Sequence, residues 1–118
     1  MEMSFMRRSE IWLINLDPTI GAEINKIRPV IIFSNDDMGT LPLRVVIPLT
    51  DWKEKFSIVP WMVKIAADKT NNLNKTSLAD CFQIKSVSEN RFIKKIGVLT
   101  VEEMDVIAFA VKLVLQLK

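Results

Sequence analysis

The feature that most limits the possible folds of this chain is a series of short apolar runs separated by polar connections. The runs are rich in β-branched and aromatic residues and are too short for ordinary globular helices. We interpret the following six runs as strands: Glu10–Asn15, Val30–Phe33, Leu43–Leu49, Trp61–Ile65, Leu78–Val87 and Ile93–Leu99. Because no helical pattern lies between consecutive strands, an antiparallel barrel or sandwich is favoured over a parallel sheet.

The spacing of apolar residues changes near the C-terminus, where it predicts one helix. Thr100 and Glu103 have the spacing of a capping box, in which two otherwise free backbone N–H groups are satisfied by side chains. The helix has a wider apolar arc than one core-facing stripe requires, which favours a homodimer contact. With 118 residues the chain is long enough for one domain, so we predict a single, mainly β domain over residues 1–118.

Composition excludes several classes of function. The chain has no histidine, which rules out Ser-His-Asp and Cys-His catalysis and HExxH metalloproteases. Its single cysteine, Cys81, cannot form an internal disulfide or a thiolate zinc cage, and we predict that it is a small buried apolar residue in a reducing compartment. The balance of 16 basic to 14 acidic residues neither indicates nor excludes nucleic-acid binding.

Hydropathy indicates no membrane span. The most apolar segment, Met104–Leu117, is shorter than the ~20 residues that a spanning helix needs, and two charged residues interrupt it. The N-terminal residues show no signal-peptide pattern, because no apolar stretch follows their charges. We therefore expect a cytoplasmic protein.

Several segments together carry a family resemblance, although each is a weak match alone. They are Arg8–Trp12, Leu16–Glu23, Arg28–Asp36, Val46–Thr50, Gln83–Val87 and Lys95–Leu99. In this order and at this spacing, the chain from about Arg7 to Leu115 resembles the MazF/PemK family of toxin endoribonucleases from bacterial toxin–antitoxin pairs.

The resemblance implies both a fold and an activity. The fold is an SH3-like antiparallel β-barrel of the MazF/PemK/CcdB type with a C-terminal helix, and the protein is a homodimer. The activity is sequence-specific cleavage of single-stranded RNA, often mRNA, without a metal or cofactor. Its products carry a 2′,3′-cyclic phosphate and a 5′-hydroxyl. A cognate antitoxin binds the dimer and blocks the RNA groove.

The family's two principal catalytic positions match Arg28 and Thr50. Their chemistry suits a chain without histidine, because the 2′-hydroxyl of the RNA itself supplies the nucleophile. An arginine fork can hold two phosphate oxygens, and a threonine hydroxyl can donate a third hydrogen bond. Glu23 matches a family acidic position. It either accepts the 2′-hydroxyl proton or orients Arg28, and we favour orientation.

Four further residues are candidate RNA contacts. Ser34 and Asn35 end the strand that Arg28 begins, although Ser and Asn are also common turn residues. Gln83 and Lys85 alternate onto one face of the fifth strand, where the family often contacts RNA.

The connection from Asp51 to Pro60 combines aromatic and basic residues. We predict that Trp52 stacks on a base and that Lys53 meets a phosphate, since aromatic stacking is common in single-stranded RNA recognition. We expect Trp61 to face the core instead. Asp51 places a negative charge beside Thr50, so it is either turned away or tunes which RNA sequence is cut.

Two other functions fit the same architecture. A CcdB-like toxin binds DNA gyrase and cuts nothing, but it acts through an aromatic and glycine-containing C-terminal end, whereas this chain ends Leu-Gln-Leu-Lys. A non-catalytic RNA-binding barrel gives no reason for Arg28 and Thr50 at their positions. RNA cleavage separates both alternatives from the ribonuclease interpretation.

Overall fold

The computed structural model describes residues 6–38 and 41–118, so the first five residues, on which part of the signal-peptide expectation rests, lie outside the described part. Its helix and strands are β1 Glu10–Asn15, β2 Ile27–Ile32, β3 Leu43–Asp51, β4 Met62–Ile65, β5 Ser77–Asp80, β6 Lys85–Ser88, β7 Phe92–Val98 and α1 Val101–Leu115. Short 3-10 turns lie at Glu54–Phe56, Cys81–Gln83 and Glu89–Arg91.

The described strands form one seven-stranded sheet in the order β4-β5-β3-β2-β1-β7, with β6 also paired to β3. Every neighbouring pair is antiparallel. The prediction of an antiparallel, mainly β fold with a C-terminal helix is confirmed. Because β4 and β7 do not pair with each other in the described residues, the barrel-like sheet is not closed.

The prediction of one strand over Leu78–Val87 is wrong, because a 3-10 turn divides that segment into β5 and β6. Leu49 pairs with Ala79 and Val46 pairs with Lys85. A shift of three residues along β3 therefore corresponds to a shift of six residues along the segment that contains β5 and β6. The turn Cys81–Gln83 accounts for the three extra residues, in the manner of an enlarged β-bulge. The side chain of Asp80 accepts from Phe82 N at 3.2 Å and so favours the turn over a continuous ladder.

Buried apolar residues form two clusters. In the first, Met104, Ile107, Ala110 and Val111 of α1 join a group of strand residues that includes Ile11, Ile31, Ile47 and Leu49. The second contains no helix residue and includes Trp12, Ile14, Val30, Ile32 and Phe92. Alternate residues of β2 enter different clusters, because successive side chains of a strand point to opposite faces.

The capping box that begins α1 is confirmed. Glu103 N donates to Thr100 Oγ1 at 3.1 Å, and Thr100 N donates to Glu103 Oε1 at 2.9 Å. The predicted excess of apolar surface is also present, since Val106, Phe109 and Leu113 are all more than half exposed in this single chain. No helix among the described residues is long and apolar enough to cross a membrane.

The expectation that Trp61 faces the core is wrong. Trp61 is 37% exposed, and its ring meets that of the exposed Phe82 edge to face, with centroids 5.7 Å apart. The physical reason is that β4 begins one residue later, so its alternation buries Val63 and Ile65 but leaves Trp61 in the preceding turn. The aromatic ring therefore lies at the surface.

Cys81 is fully buried in the first cluster, as predicted. Burial, with a smaller effect from the charge of Asp80, raises the pKa of its thiol to about 12. Because the thiolate is the reactive species, we expect no reaction of the folded protein with a disulfide reagent at pH 8, and one thiol equivalent after unfolding in urea. A Ser57→Cys variant, with its exposed thiol, is the control. Fast reaction of Cys81 with the disulfide reagent in the folded protein would contradict this prediction.

Candidate active site

Arg28 and Thr50 line the same cleft, which has a volume of about 480 Å³. The two residues come from neighbouring antiparallel strands, β2 and β3, in which Val30 pairs with Pro48. That is the last pair at this end of the two strands, and Arg28 and Thr50 each lie two residues beyond it. On their outer sides, Arg28 pairs with Ile14 of β1 and Thr50 pairs with Leu78 of β5. Each residue is thus fixed by pairing with one neighbouring strand.

Arg28 is half-buried as a residue, and the loop that precedes it holds its guanidinium. Its Nε donates to the backbone oxygen of Asn25 at 3.3 Å. No carboxylate lies within 4 Å of it among the described residues. A guanidinium has five N–H donors, so most of its donor capacity can serve a ligand in the cleft.

The charged residues that line the cleft are predominantly basic. Lys75, Lys94 and Lys95 join Arg28 there, against one carboxylate, that of Asp51. Asp51 is not turned away from the cleft: it pairs with Lys75 at 3.1 Å, although both side chains are at least half exposed and the pair contributes little to stability. The charge of this cleft suits an anion such as phosphate.

Lys95 is oriented by a buried carboxylate behind the cleft. Glu10 lies 3.0 Å from Lys95 Nζ and accepts hydrogen bonds at 2.9 Å from both Arg7 N and the indole of Trp12. Burial alone would raise the pKa of Glu10, but the hydrogen bonds and the lysine charge outweigh it, and the net effect lowers that pKa. The ionised form of Glu10 is therefore favoured in the folded protein.

Glu10→Gln is expected to reduce the free energy of unfolding by about 1–2 kcal/mol at pH 7, because it removes charged hydrogen bonds from a buried site. Since folding lowers the pKa of Glu10, this contribution is complete above the unfolded value near 4.5 and is lost as pH falls through the folded value. Urea unfolding of both proteins from pH 7 to pH 3 measures the difference. The exposed Glu54→Gln is the control, and a difference independent of pH would contradict the assignment.

Glu23 lies in a different cavity, with Gln83 and Lys85. Its carboxylate accepts from Ile20 N at 2.7 Å and pairs with Lys85 at 3.6 Å. No direct contact with Arg28 is found in the described part of the chain. The predicted orienting role of Glu23 would therefore have to act through the loop that both residues share.

Ser34 and Asn35 line a third cavity, together with Arg44. Ser34 Oγ accepts from Val45 N at 3.2 Å, and Asn35 Oδ1 accepts from Asp37 N at 2.8 Å. Asn35 thus stabilises the turn after β2, as expected of a turn residue, whereas Ser34 joins that turn to β3. Their contact with RNA stays a prediction.

The two remaining candidates, Trp52 and Lys53, follow β3. Trp52 is half-buried, its indole nitrogen has no hydrogen-bond partner in the structure, and Lys64 Nζ lies 4.8 Å from its ring centroid. One face of the indole is therefore already covered by a cation. Lys53 is exposed and precedes the 3-10 turn Glu54–Phe56. Neither residue lines the cleft of Arg28 and Thr50.

Sequence reasoning did not find the lysines at the edge of the cleft. Lys94 and Lys95 are visible in the sequence as a basic pair in the last strand, but nothing local shows that β7 borders β1 and approaches the cleft. Lys75 lies in the polar connection before β5, which the pattern marked only as a loop. These positions depend on strand order, which spacing alone does not reveal.

Comparisons with known proteins agree on one family. The model of the PemK-like, MazF-like toxins of type II toxin–antitoxin systems matches residues 7–115. Endoribonuclease MazF9 of Mycobacterium tuberculosis is 34% identical over 95% of this chain and 98% of its own length. Endoribonuclease MazF of Staphylococcus saprophyticus is 30% identical over 84% of this chain and 82% of its own length.

Solved structures share the fold. The Mycobacterium tuberculosis toxin MazF-mt6 has a TM-score of 0.74 at 23% identity, covering 92% of this chain and 98% of that one. MazF of Deinococcus radiodurans has a TM-score of 0.76 at 16% identity, covering 92% and 94%. The family match over nearly the whole sequence, together with the identity to curated relatives, shows that this chain belongs to the PemK-like, MazF-like toxins of type II toxin–antitoxin systems.

Proposed function

We propose that this toxin is an endoribonuclease that cuts single-stranded RNA, such as mRNA, at specific sequences in the cleft of Arg28 and Thr50. The observation that carries the proposal is the presence of both residues in one cleft whose charged residues are predominantly basic. Relatives at 34% and 30% identity are named endoribonucleases, which supports the same activity here.

In the proposed reaction, the 2′-oxygen of the RNA attacks the adjacent phosphorus. The bond from phosphorus to the 5′-oxygen breaks, which leaves a 2′,3′-cyclic phosphate and a 5′-hydroxyl. The 2′-hydroxyl loses its proton and the departing 5′-oxygen gains one. Arg28 stabilises the negative charge that develops on the phosphate oxygens, and the hydroxyl of Thr50 donates a further hydrogen bond to them. This route needs no nucleophile, metal or cofactor from the protein.

The position of Glu23 argues against its use as the base. Glu23 lies in a separate cavity and is paired with Lys85, whereas Asp51 is the one carboxylate that lines the described cleft. We therefore keep a supporting role for Glu23, through the loop before Arg28. None of the predicted RNA contacts lines the described cleft, so we propose them only as contacts to nucleotides away from the cut.

We further propose a homodimer that a cognate antitoxin inhibits. The exposed apolar residues of α1 support a protein contact. Structures similar in fold include an endoribonuclease in complex with its cognate antitoxin, from a mycobacterial species, and a MazE-MazF complex from Deinococcus radiodurans. Light scattering of the purified chain is expected to give twice its mass of 13.5 kDa.

The proposed activity is tested by incubating the purified toxin with a long single-stranded RNA in EDTA. We expect discrete cuts, mapped by primer extension, whose upstream fragments end in a 2′,3′-cyclic phosphate. The absence of cleavage by folded, antitoxin-free protein would overturn the ribonuclease proposal. Gyrase binding would then be measured next, because the CcdB-like alternative predicts it.

A further inference from the structure

We propose that Gln83 is a positioning residue that fixes the loop before β2, and through it the guanidinium of Arg28. We define this segment, residues 17–26, as the Arg28 loop. The inference rests on the proposed function of Arg28. It assigns Gln83 a role different from the direct RNA contact predicted from the sequence.

Both polar atoms of the Gln83 side chain are bound to the Arg28 loop. Its Oε1 accepts from Ile24 N at 2.6 Å, and its Nε2 donates to the backbone oxygen of Ala22 at 3.3 Å. The two bonds join residues about 60 positions apart in the chain. Gln83 is able to reach the loop because it ends the 3-10 turn that divides β5 from β6.

The same loop holds Arg28 directly. Asn25 follows Ile24, and its backbone oxygen accepts from Arg28 Nε at 3.3 Å. The Gln83 amide and the Arg28 guanidinium are therefore attached to adjacent residues of one loop. A displacement at Ile24 moves the carbonyl of Asn25 and hence the acceptor that orients Arg28.

Other contacts hold mainly the ends of the loop; in its middle, Glu23 pairs with Lys85 of β6 at 3.6 Å, a partly exposed ion pair that contributes little. Leu16 N donates to Lys26 O, and Lys26 N donates to Asp17 Oδ1, each at 2.9 Å. Between these ends only Ile24 packs against a buried cluster, and it does so partly. Without the two Gln83 bonds, the middle of the loop would regain conformational freedom. A misplacement of about 1 Å near reacting atoms can cost about 100-fold in rate.

Kinetics of Gln83→Met test the inference, since methionine preserves the length of the side chain and removes both hydrogen bonds to the loop, together with the side-chain interaction of Gln83 with Asp80. We expect kcat for RNA cleavage to fall by about 10–100-fold, with KM changed less than about twofold. Gln116→Met, the same substitution at the exposed C-terminal end of α1, is the matched control and should keep wild-type kinetics. Gln83→Ala serves as a second variant if the methionine variant does not fold.

A double-mutant cycle with Arg28→Lys identifies the residue through which Gln83 acts. Lysine keeps the charge but lacks the guanidinium that Asn25 orients, so Gln83→Met should cost less than about twofold in that background. Amide exchange of Ile24, measured by NMR, should become faster in the Gln83 variants, and this measurement needs no substrate.

Two kinetic outcomes would overturn the positioning role while the ribonuclease proposal stands. They are a raised KM with unchanged kcat, which indicates a direct RNA contact, and an equal fold-loss in both backgrounds. Unchanged exchange of Ile24 would also overturn it. A folded wild type without activity on RNA would overturn the ribonuclease proposal itself, and with it this role.

Discussion

Arg28→Ala is expected to reduce the rate of RNA cleavage by about 10²–10³-fold, the usual cost of removing one preorganised donor from a charged transition state. The loss should fall mainly on kcat, because negative charge on the phosphate oxygens increases as the 2′-oxygen attacks. Arg28→Lys should recover part of the rate, since it restores a positive charge without the planar fork. Single-turnover cleavage of a short RNA containing the mapped site measures both variants.

The control for this prediction is Arg7→Ala, which removes an exposed arginine from outside the cleft. Thr50→Val removes the second proposed donor while it preserves the β-branched shape, and its rate should also fall. If folded Arg28→Ala cut RNA at the wild-type rate, the reaction would have to occur elsewhere on the protein. Equal activity in every variant, Thr50→Val included, would indicate a contaminating nuclease.

Gly97→Ala is expected to destabilise the fold by about 3 kcal/mol or more, at the upper end for overpacked sites. A Cβ at position 97 would lie 2.3 Å from the backbone oxygen of Asn71 and 2.7 Å from that of Thr70. These atoms cannot rotate away, because Asn71 is fully buried and its side chain holds the loop at Asp68, Ala66 and Leu73. The cleft residues Asn72–Lys75 follow directly, so activity should fall with stability.

Urea unfolding of Gly97→Ala and Gly21→Ala separates steric overlap from backbone strain. Gly21 has a φ of +62°, but a Cβ there would meet nothing within 4 Å. Its replacement should cost only about 1–2 kcal/mol, the strain of a left-handed residue. If Gly97→Ala were as stable as the wild type, β7 would not pack against this loop as described.

Local pattern was sufficient for most of the strands and for the helix. Short runs of β-branched or aromatic residues identify β1 and β3, and the spacing of Thr100 and Glu103 identifies the start of α1, because each signal is complete within a few residues. The strand prediction failed at Leu78–Val87. There the side chain of Asp80 stabilises a turn, and the spacing of apolar residues gives no sign of it. The prediction failed at Trp61 because a one-residue change in where a strand starts moves a side chain to the surface.

The sequence by itself determined most of the strands, the C-terminal helix and the family, and it predicted the pair Arg28 and Thr50, because each of these signals is complete within short segments of the chain. Only the tertiary structure decided that the other candidates lie outside the cleft of this pair, and that Lys75, Lys94 and Lys95 border it. The same holds for the bonds of Gln83 to the Arg28 loop. These contacts join distant parts of the chain, and they depend on strand order and on a three-residue bulge. Neither the strand order nor the bulge can be predicted from residue spacing along the chain.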